Sequence, residues 1–406
     1  MKIRSITYFA DTGFPFEEAR IAAAGKFLAE ARATFEGGGF EAQYTRLALP
    51  PLARTFGNAH LAQAVKYAQD LEAMCFVHGI DFASIGIAKP DDPPAFYEII
   101  PEVIGATQNI FAAAVIASPI HGVSLAAIKR AAKIIQRCST ISPDGFGNLR
   151  FAALANVESG VPYFPAAYHE GGAAMFAVAV EAADLAVAAC TGAGSLAEAR
   201  SRLVESVEEQ AKKVAGLAKK IGGSMSVRFG GIDFSLAPFP SPDKSIGAAM
   251  EALGAPLGAS GSLTAAAFLA EALDRADYPA TGFSGLLLPV LEDNVLAARA
   301  AEGALTITEL LLYSAVCGTG LDTVPLAGDI SPDELAAILL DVATLAMRLN
   351  KPLTARLMPM PGKQAGDDIT FDFKFFADGK VLAHRAKPLT GPLGGEESFD
   401  LARRAR

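Results

Sequence analysis

Tryptophan is absent from this 406-residue sequence, cysteine occurs four times, histidine five times, and charged residues make up only 19%. The four cysteines, Cys75, Cys138, Cys190 and Cys317, are far apart and form no CxxC pair. That spacing excludes a zinc-ribbon or a disulfide-stapled scaffold and reads as free thiols in a reducing compartment, the cytoplasm. No cluster of lysine and arginine is present and the formal net charge is −9, which argues against a nucleic-acid partner. Long hydrophobic runs are also missing. The most apolar stretch, 173–189, is interrupted by Glu181 and Asp184 and falls short of a membrane span, so no membrane partner is expected. The opening Met1-Lys2-Ile3-Arg4-Ser5-Ile6 alternates polar and apolar residues at once, without the apolar core of a signal peptide. HExxH, GxSxG and phosphate-loop motifs are absent, and the glycine pair Gly230-Gly231 is not a GxGxxG fingerprint.

What is abundant is apolar side chain. Hydrophobic residues reach 51%, enough for a large core, and this excludes disorder. Dividing the length by about 150 residues per domain gives roughly 2.7, yet α/β barrels run past 250 residues as one unit. Short β-rich runs alternate with helical ones. Strands are expected at Lys2–Phe9, Phe40–Leu47, Phe82–Ile87, Phe111–Ala117, Arg150–Val157, Ser226–Phe234, Gly285–Val290 and Leu353–Pro359. Between them lie helical stretches such as Phe16–Phe35, Ala59–His78, Leu196–Ile221 and Pro332–Leu349. Gly172–Cys190 reads as an alanine-rich helix, with Phe176–Val180 as an alternative strand. Regular βα alternation implies a mostly parallel sheet covered by helices. The expectation is α/β, a single barrel-like domain of nine or ten strands over residues 1–406, with 374–406 an irregular C-terminal tail.

Four stretches carry candidate chemistry. In Cys317-Gly318-Thr319-Gly320-Leu321-Asp322 a thiol follows a helix on a Gly- and Thr-rich loop, with a carboxylate five positions on. A thiol so placed serves as nucleophile or hydrogen-atom donor, or simply fills space before a turn. In Tyr163-Phe164-Pro165-Ala166-Ala167-Tyr168-His169-Glu170, His169 and Glu170 precede two glycines and suit proton transfer or anion binding, or plain capping. Arg228 through Ser235 offers Arg228 as an anchor for a carboxylate or phosphate, and Asp233 with Ser235 to orient a hydroxyl. Glu292-Asp293 opens a helix, where capping is the first explanation and a divalent cation the second.

Taken together, Phe151–Val157, Phe164–Gly172, Arg228–Pro240, the Gly261-to-Asp293 block and Tyr313–Asp329 resemble the bacterial and archaeal family known as domain of unknown function 711, or uncharacterised protein family 0210. The likeness runs from Met1 to about Phe373. It implies a ten-stranded α/β barrel related to pyruvate formate-lyase, with an inner loop whose cysteine, here Cys317, becomes the radical carrier. The glycyl-radical signature is missing: Phe376–Leu382 and Gly391–Gly395 do not match Arg-Val-x-Gly-aromatic, so no glycyl radical is expected.

The functional expectation is an enzyme acting on a small polar or anionic metabolite enclosed by the barrel, of lyase, isomerase or hydrolase type. Cys317, His169, Glu170 and Asp322 would be catalytic, Arg228, Asp233, Ser235 and Thr319 would bind substrate, and Glu292 and Asp293 would hold a cation. The alternatives are a non-catalytic metabolite sensor and a divalent-metal-dependent enzyme. The flat apolar faces of the Ala-rich helices suit a homo-oligomer.

Overall fold

The computed structural model describes residues 1–402; the last four residues of the expected tail lie outside them. Ten strands are used below: β1 Lys2–Phe9, β2 Ala42–Ala48, β3 Phe82–Ala88, β4 Ile110–Ser118, β5 Gly122–Ser124, β6 Phe151–Ala155, β7 Met175–Glu181, β8 Arg228–Asp233, β9 Gly320–Ala327 and β10 Leu353–Met360. Nine of them follow one hydrogen-bonded path, β8-β7-β1-β2-β3-β4-β6-β10-β9, and β5 folds back on the end of β4. Along this path β1, β2, β3, β4 and β6 are mutually parallel. β7 runs antiparallel to β1 and β10 antiparallel to β6, while the pairs β7–β8 and β9–β10 are again parallel. The fold is therefore mixed α/β around a large, mostly parallel sheet. No helix among the described residues is long and apolar enough to cross a membrane.

β3, β4, β6 and β7 are apolar along most of their length because both faces of the sheet are covered. On β4, Ala112, Ala114 and Ile116 join the main core with the helices, while Phe111, Ala113 and Val115 join separate clusters on the other face. β6 divides in the same way, with Ala153 and Ala155 outward and Ala152 and Leu154 inward. What packs on the inner face is the loop 156–174, which joins β6 to β7. Its Val157, Val161, Phe164, Ala166, Ala167 and Tyr168 fill the two inner clusters. The Pro162 carbonyl accepts a bond from Thr7 Oγ1 of β1 at 3.1 Å, and the Tyr168 hydroxyl donates to the Val157 carbonyl at 3.2 Å.

Three sequence expectations are corrected. The Gly- and Thr-rich run after Cys317 is a loop only as far as Thr319; from Gly320 it is the fully buried strand β9. Contacts with β10 outweigh the low strand propensity of Gly, Asp and Pro there. The inner loop is 156–174, which contains no cysteine, so Cys317 is not carried on it. In the stretch 172–190 the continuous helix gives way to the alternative, the strand Met175–Glu181, and only Ala183–Cys190 is helical; burial on both faces erases the period that would have decided between them.

Gly285–Val290 forms no regular strand. The chain from Pro279 to Pro289 is nonetheless held on both sides. Ile232 of β8 bridges Ala280, Leu236 N donates to the Gly285 carbonyl at 2.9 Å, Gly318 N donates to the Leu286 carbonyl at 3.3 Å, and Asp322 of β9 bridges Pro289. Two glycines permit the approach, since a Cβ on Gly285 would lie 2.5 Å from Gly318 Cα. Gly318→Ala is expected to destabilise the protein by about 2–4 kcal/mol, because two backbones rather than a flexible side chain would have to part. Chemical denaturation checks this, and a midpoint unchanged from the parent contradicts it.

The described part of the C-terminal tail runs back over the body. Ser398 and Phe399 pair with β5, and Lys129 Nζ donates to the Gly394 carbonyl at 2.6 Å. Upstream, Phe371, Phe373 and Phe376 pack on Phe146, with ring centroids 4.9–6.2 Å apart.

Candidate functional site

Three strands each carry one arginine: Arg4 on β1, Arg46 on β2 and Arg356 on β10. All three line one cavity of about 120 Å³ on the inner face of the sheet. Arginine is rarely buried without a partner, and two of these have one. Glu292 accepts from Arg4, and its Oε1 accepts from Arg356 Nη2 at 2.8 Å. Arg356 Nε donates to Asp322 Oδ1 at 2.6 Å, and the Tyr163 hydroxyl donates to Asp322 Oδ2 at 2.8 Å. The Arg356 guanidinium also lies 5.7 Å from the Tyr163 ring centroid. Asp322 is completely buried and Glu292 nearly so.

The two carboxylates are driven apart in acidity. Burial pushes the Glu292 carboxyl up, but the charges of Arg4 and Arg356 outweigh it and leave its pKa below the usual glutamate value. At Asp322 burial wins, with the Glu292 charge adding to it against Arg356, and the pKa stands above the usual aspartate value. Burial likewise lifts the Tyr163 phenol well above its ordinary value, so it stays protonated and donates. Two acids in one network with opposite shifts divide the labour: Glu292 holds charge and Asp322 is the easier to protonate.

Arg46 is different. Its guanidinium pairs with no carboxylate among the described residues, and its Nε is sealed from solvent without a hydrogen-bond partner. It stacks over Phe164 at 4.9 Å. Burial first, then the repulsion of Arg4, lowers its pKa to about 9. A cation held under such conditions is an electrostatic demand for an anion.

The residues singled out from sequence are distributed as follows. Asp322 is in the network with Tyr163, and Glu292 is its charged hub. Asp293 turns away from Glu292: it accepts from Val295 N at 2.9 Å and Leu296 N at 3.1 Å, capping the helix Asn294–Ala301, and from Ser245 Oγ at 2.6 Å. The two adjacent acids therefore share no cation position, and no group of three or more His, Cys, Asp or Glu among the described residues is arranged to hold a metal. Asp233 accepts from Ser235 Oγ at 2.6 Å and from Phe283 and Ser284 N at 3.1 and 3.0 Å, pinning the 279–290 segment. Thr319 Oγ1 donates to the Leu286 carbonyl at 3.2 Å, on the same seam.

Arg228 is exposed and donates to the Met175 sulfur at 2.8 Å; it does not line the cavity. Cys317 is buried in the main helix-side core, with its carbonyl accepting from Lys351. His169 is buried with Nε2 unpartnered, and burial lowers its pKa. Its backbone N donates to the Leu49 carbonyl just past β2, away from the arginines. Glu170 is exposed and pairs with Lys89 at 2.8 Å. The structure thus separates Cys317 from His169 and gathers Arg4, Arg46, Tyr163, Glu292, Asp322 and Arg356. The missed signal was the solitary arginine inside each of three buried strands.

The profile of a family described as Uncharacterised ACR (DUF711) matches residues 1–375. The chain belongs to this family. Among DUF711 relatives, a UPF0210 protein of Pyrobaculum arsenaticum is 35% identical over 344 residues, covering 79% of this chain and 74% of its own. A UPF0210 protein of Neisseria meningitidis serogroup B is 28% identical over 342 residues, covering 80% and 75%. Those names state no activity. The DUF711 match takes in every member of the arginine network and ends at Phe375, within the aromatic run beside the cavity.

Proposed function

We propose that the protein is an enzyme that holds a small organic anion on Arg46, inside a closed ring of strands, and moves a proton on it through Tyr163 and Asp322. The observation that carries the reading is Arg46 itself, a cavity-lining guanidinium without a counter-ion among the described residues, beside two arginines that have theirs. Binding an anion would relieve the cost of burying that charge. Tyr163 lines the same cavity, and its hydroxyl donates its hydrogen bond to Asp322. A proton taken up at the Tyr163 oxygen is matched by the phenol's own proton passing to Asp322 Oδ2, the carboxylate whose pKa is raised.

The ring is part of the proposal. Segment 279–290 lies between β8 and β9 with parallel bridges to each, which supplies a tenth position and sets two groups of five parallel strands against each other. In that arrangement residues 1–402 work as one domain, and loop 156–174 occupies its centre. Such a ring would be the pyruvate formate-lyase-like arrangement that the family resemblance implies.

The test uses the purified full chain with inorganic phosphate, acetate and benzoate. Melting temperature reads binding, and incubation of acetate and other simple carboxylates in D₂O, followed by mass spectrometry, reads proton movement. At least one of the three anions is expected to raise the melting temperature, and Arg46→Met to abolish the rise. Deuterium incorporation is expected to disappear in Asp322→Asn. No stabilisation by any of the three overturns the binding half, and binding without exchange across the carboxylates overturns the catalytic half.

A further inference from the structure

Arg46 does not stand in a polar nest. Its strand neighbour two positions back, Tyr44, faces the same cavity, and from there an aromatic belt crosses the inner face of the sheet. Tyr44 and Phe82 have ring centroids 5.0 Å apart, Phe82 and Phe111 5.5 Å, and Phe111 and Phe164 5.2 Å. Phe164 then carries the Arg46 guanidinium on its face. The belt follows from topology: β2, β3 and β4 are adjacent and parallel, and inward positions on neighbouring strands lie about 4.8 Å apart. Phe375 closes one side, 6.0 Å from Tyr44.

We infer that the ligand is a planar monocarboxylate built on one six-membered unsaturated ring, held by its carboxylate on Arg46 and by its ring against the Tyr44–Phe82–Phe111–Phe164 belt. The inference rests on the anion-binding reading above and names its substrate class. Size limits the ligand body to a single ring: an apolar cavity of about 150 Å³ holds benzene, and this one measures about 120 Å³ and is open on one side. Charge supports it too. Arg4 and Arg356 already have carboxylates, so one guanidinium remains for one carboxylate, whose planar geometry accepts two parallel N–H donors. A second charge on the ligand would be left unpaired among rings. Hydroxyl-rich ligands such as sugar phosphates would leave most of their donors unsatisfied against these walls. Aromatic walls favour an unsaturated body over a saturated one through offset and edge contacts between rings.

Isothermal titration of the full chain with benzoate, cyclohexanecarboxylate, acetate, inorganic phosphate and benzamide tests the inference. Benzoate is expected to bind at least about ten-fold tighter than acetate or phosphate, several-fold tighter than cyclohexanecarboxylate, and about 100-fold tighter than uncharged benzamide. Phe82→Leu, at a part-exposed position of the belt, should weaken benzoate about five-fold. Phosphate or acetate binding as well as benzoate, with sensitivity to Arg46→Met, would overturn the ring-carboxylate inference and leave the anion site standing. Equal affinity for benzamide and benzoate would overturn it as well. Absence of binding by all four anions would remove the anion site, and the inference with it.

Discussion

Arg46→Met is expected to melt higher than the parent protein and to bind anions about 10–100-fold more weakly. Methionine keeps the apolar stem that packs beside Phe164 and removes a charge that has no counter-ion among the described residues. A pKa lowered to about 9 means that the charged form is disfavoured in the folded chain. At about 1.4 kcal/mol per unit this would be several kcal/mol; access of solvent through the cavity mouth reduces it to about 1–3 kcal/mol. For a chain of 406 residues that corresponds to a rise of roughly 1–4 °C in melting temperature. The pH dependence has a definite sign. Below about 9 the group is charged in both folded and unfolded chains and its full burden falls on the parent. Above that value the unfolded chain binds the extra proton, the parent gains stability with rising pH, and its deficit against Arg46→Met narrows. Stability measured by urea unfolding at neutral and alkaline pH checks both the gain and its narrowing. A variant less stable than the parent would show that Arg46 is a satisfied structural cation.

Glu292→Gln is expected to lower stability by about 3–5 kcal/mol, among the largest effects of any single substitution in this chain. Glu292 is the only carboxylate that touches both Arg4 and Arg356 among the described residues, and the amide would leave Arg4 without a counter-ion and Arg356 with Asp322 alone. Because the Glu292 pKa is depressed, its contribution is fully present above the unfolded value near 4.5 and is lost as pH falls through the lower folded value. The gap between parent and variant should therefore be largest at neutral pH and shrink in acid. Denaturant midpoints across that range measure it, and a constant small gap would mean that the network is solvated rather than buried.

The two predictions have opposite signs for one reason. Removing an unpaired charge relieves the fold, and removing a hub exposes two charges. A site that lowers stability where it is unliganded is the signature of residues kept for binding rather than for folding.

Sequence patterning carried much of the scaffold. Lys2–Phe9, Leu353–Pro359 and the helix Pro332–Leu349 are where the alternation places them, within one residue. The failures have physical causes. β9 hides behind Gly320, Asp322 and Pro325, whose strand conformation is set by β10 and not by local preference. Gly285–Val290 reads as a strand from its leucines, but Pro289 near its end limits its ladder to an isolated bridge. The continuous helix expected at Ala59–His78 breaks into Leu52–His60 and Ala64–Val77 with a 3-10 turn between them.

The site was less legible than the scaffold. Asp322, Glu292 and the Tyr163 loop stood out in their local motifs, but the partners of each lie far along the chain. Arg4 and Glu292 are 288 positions apart, and Tyr163 and Asp322 are 159 apart. No spacing rule reaches that distance. Cys317 drew attention because thiols on glycine-rich loops are often reactive, whereas burial beside the helix-side core removes it from the cavity. Each of β1, β2 and β10 carries one arginine, but Lys2 beside Arg4 and Gln43 near Arg46 mask that signal in the sequence.

The central claim is that the cavity at Arg46 is an anion site, and anomalous diffraction from crystals soaked in bromide tests it without assuming the organic ligand. The account predicts a bromide peak within contact distance of the Arg46 guanidinium in the parent protein and none there in Arg46→Met. Bromide bound at surface lysines and arginines of the parent, with the space beside Arg46 filled by water alone, would contradict it.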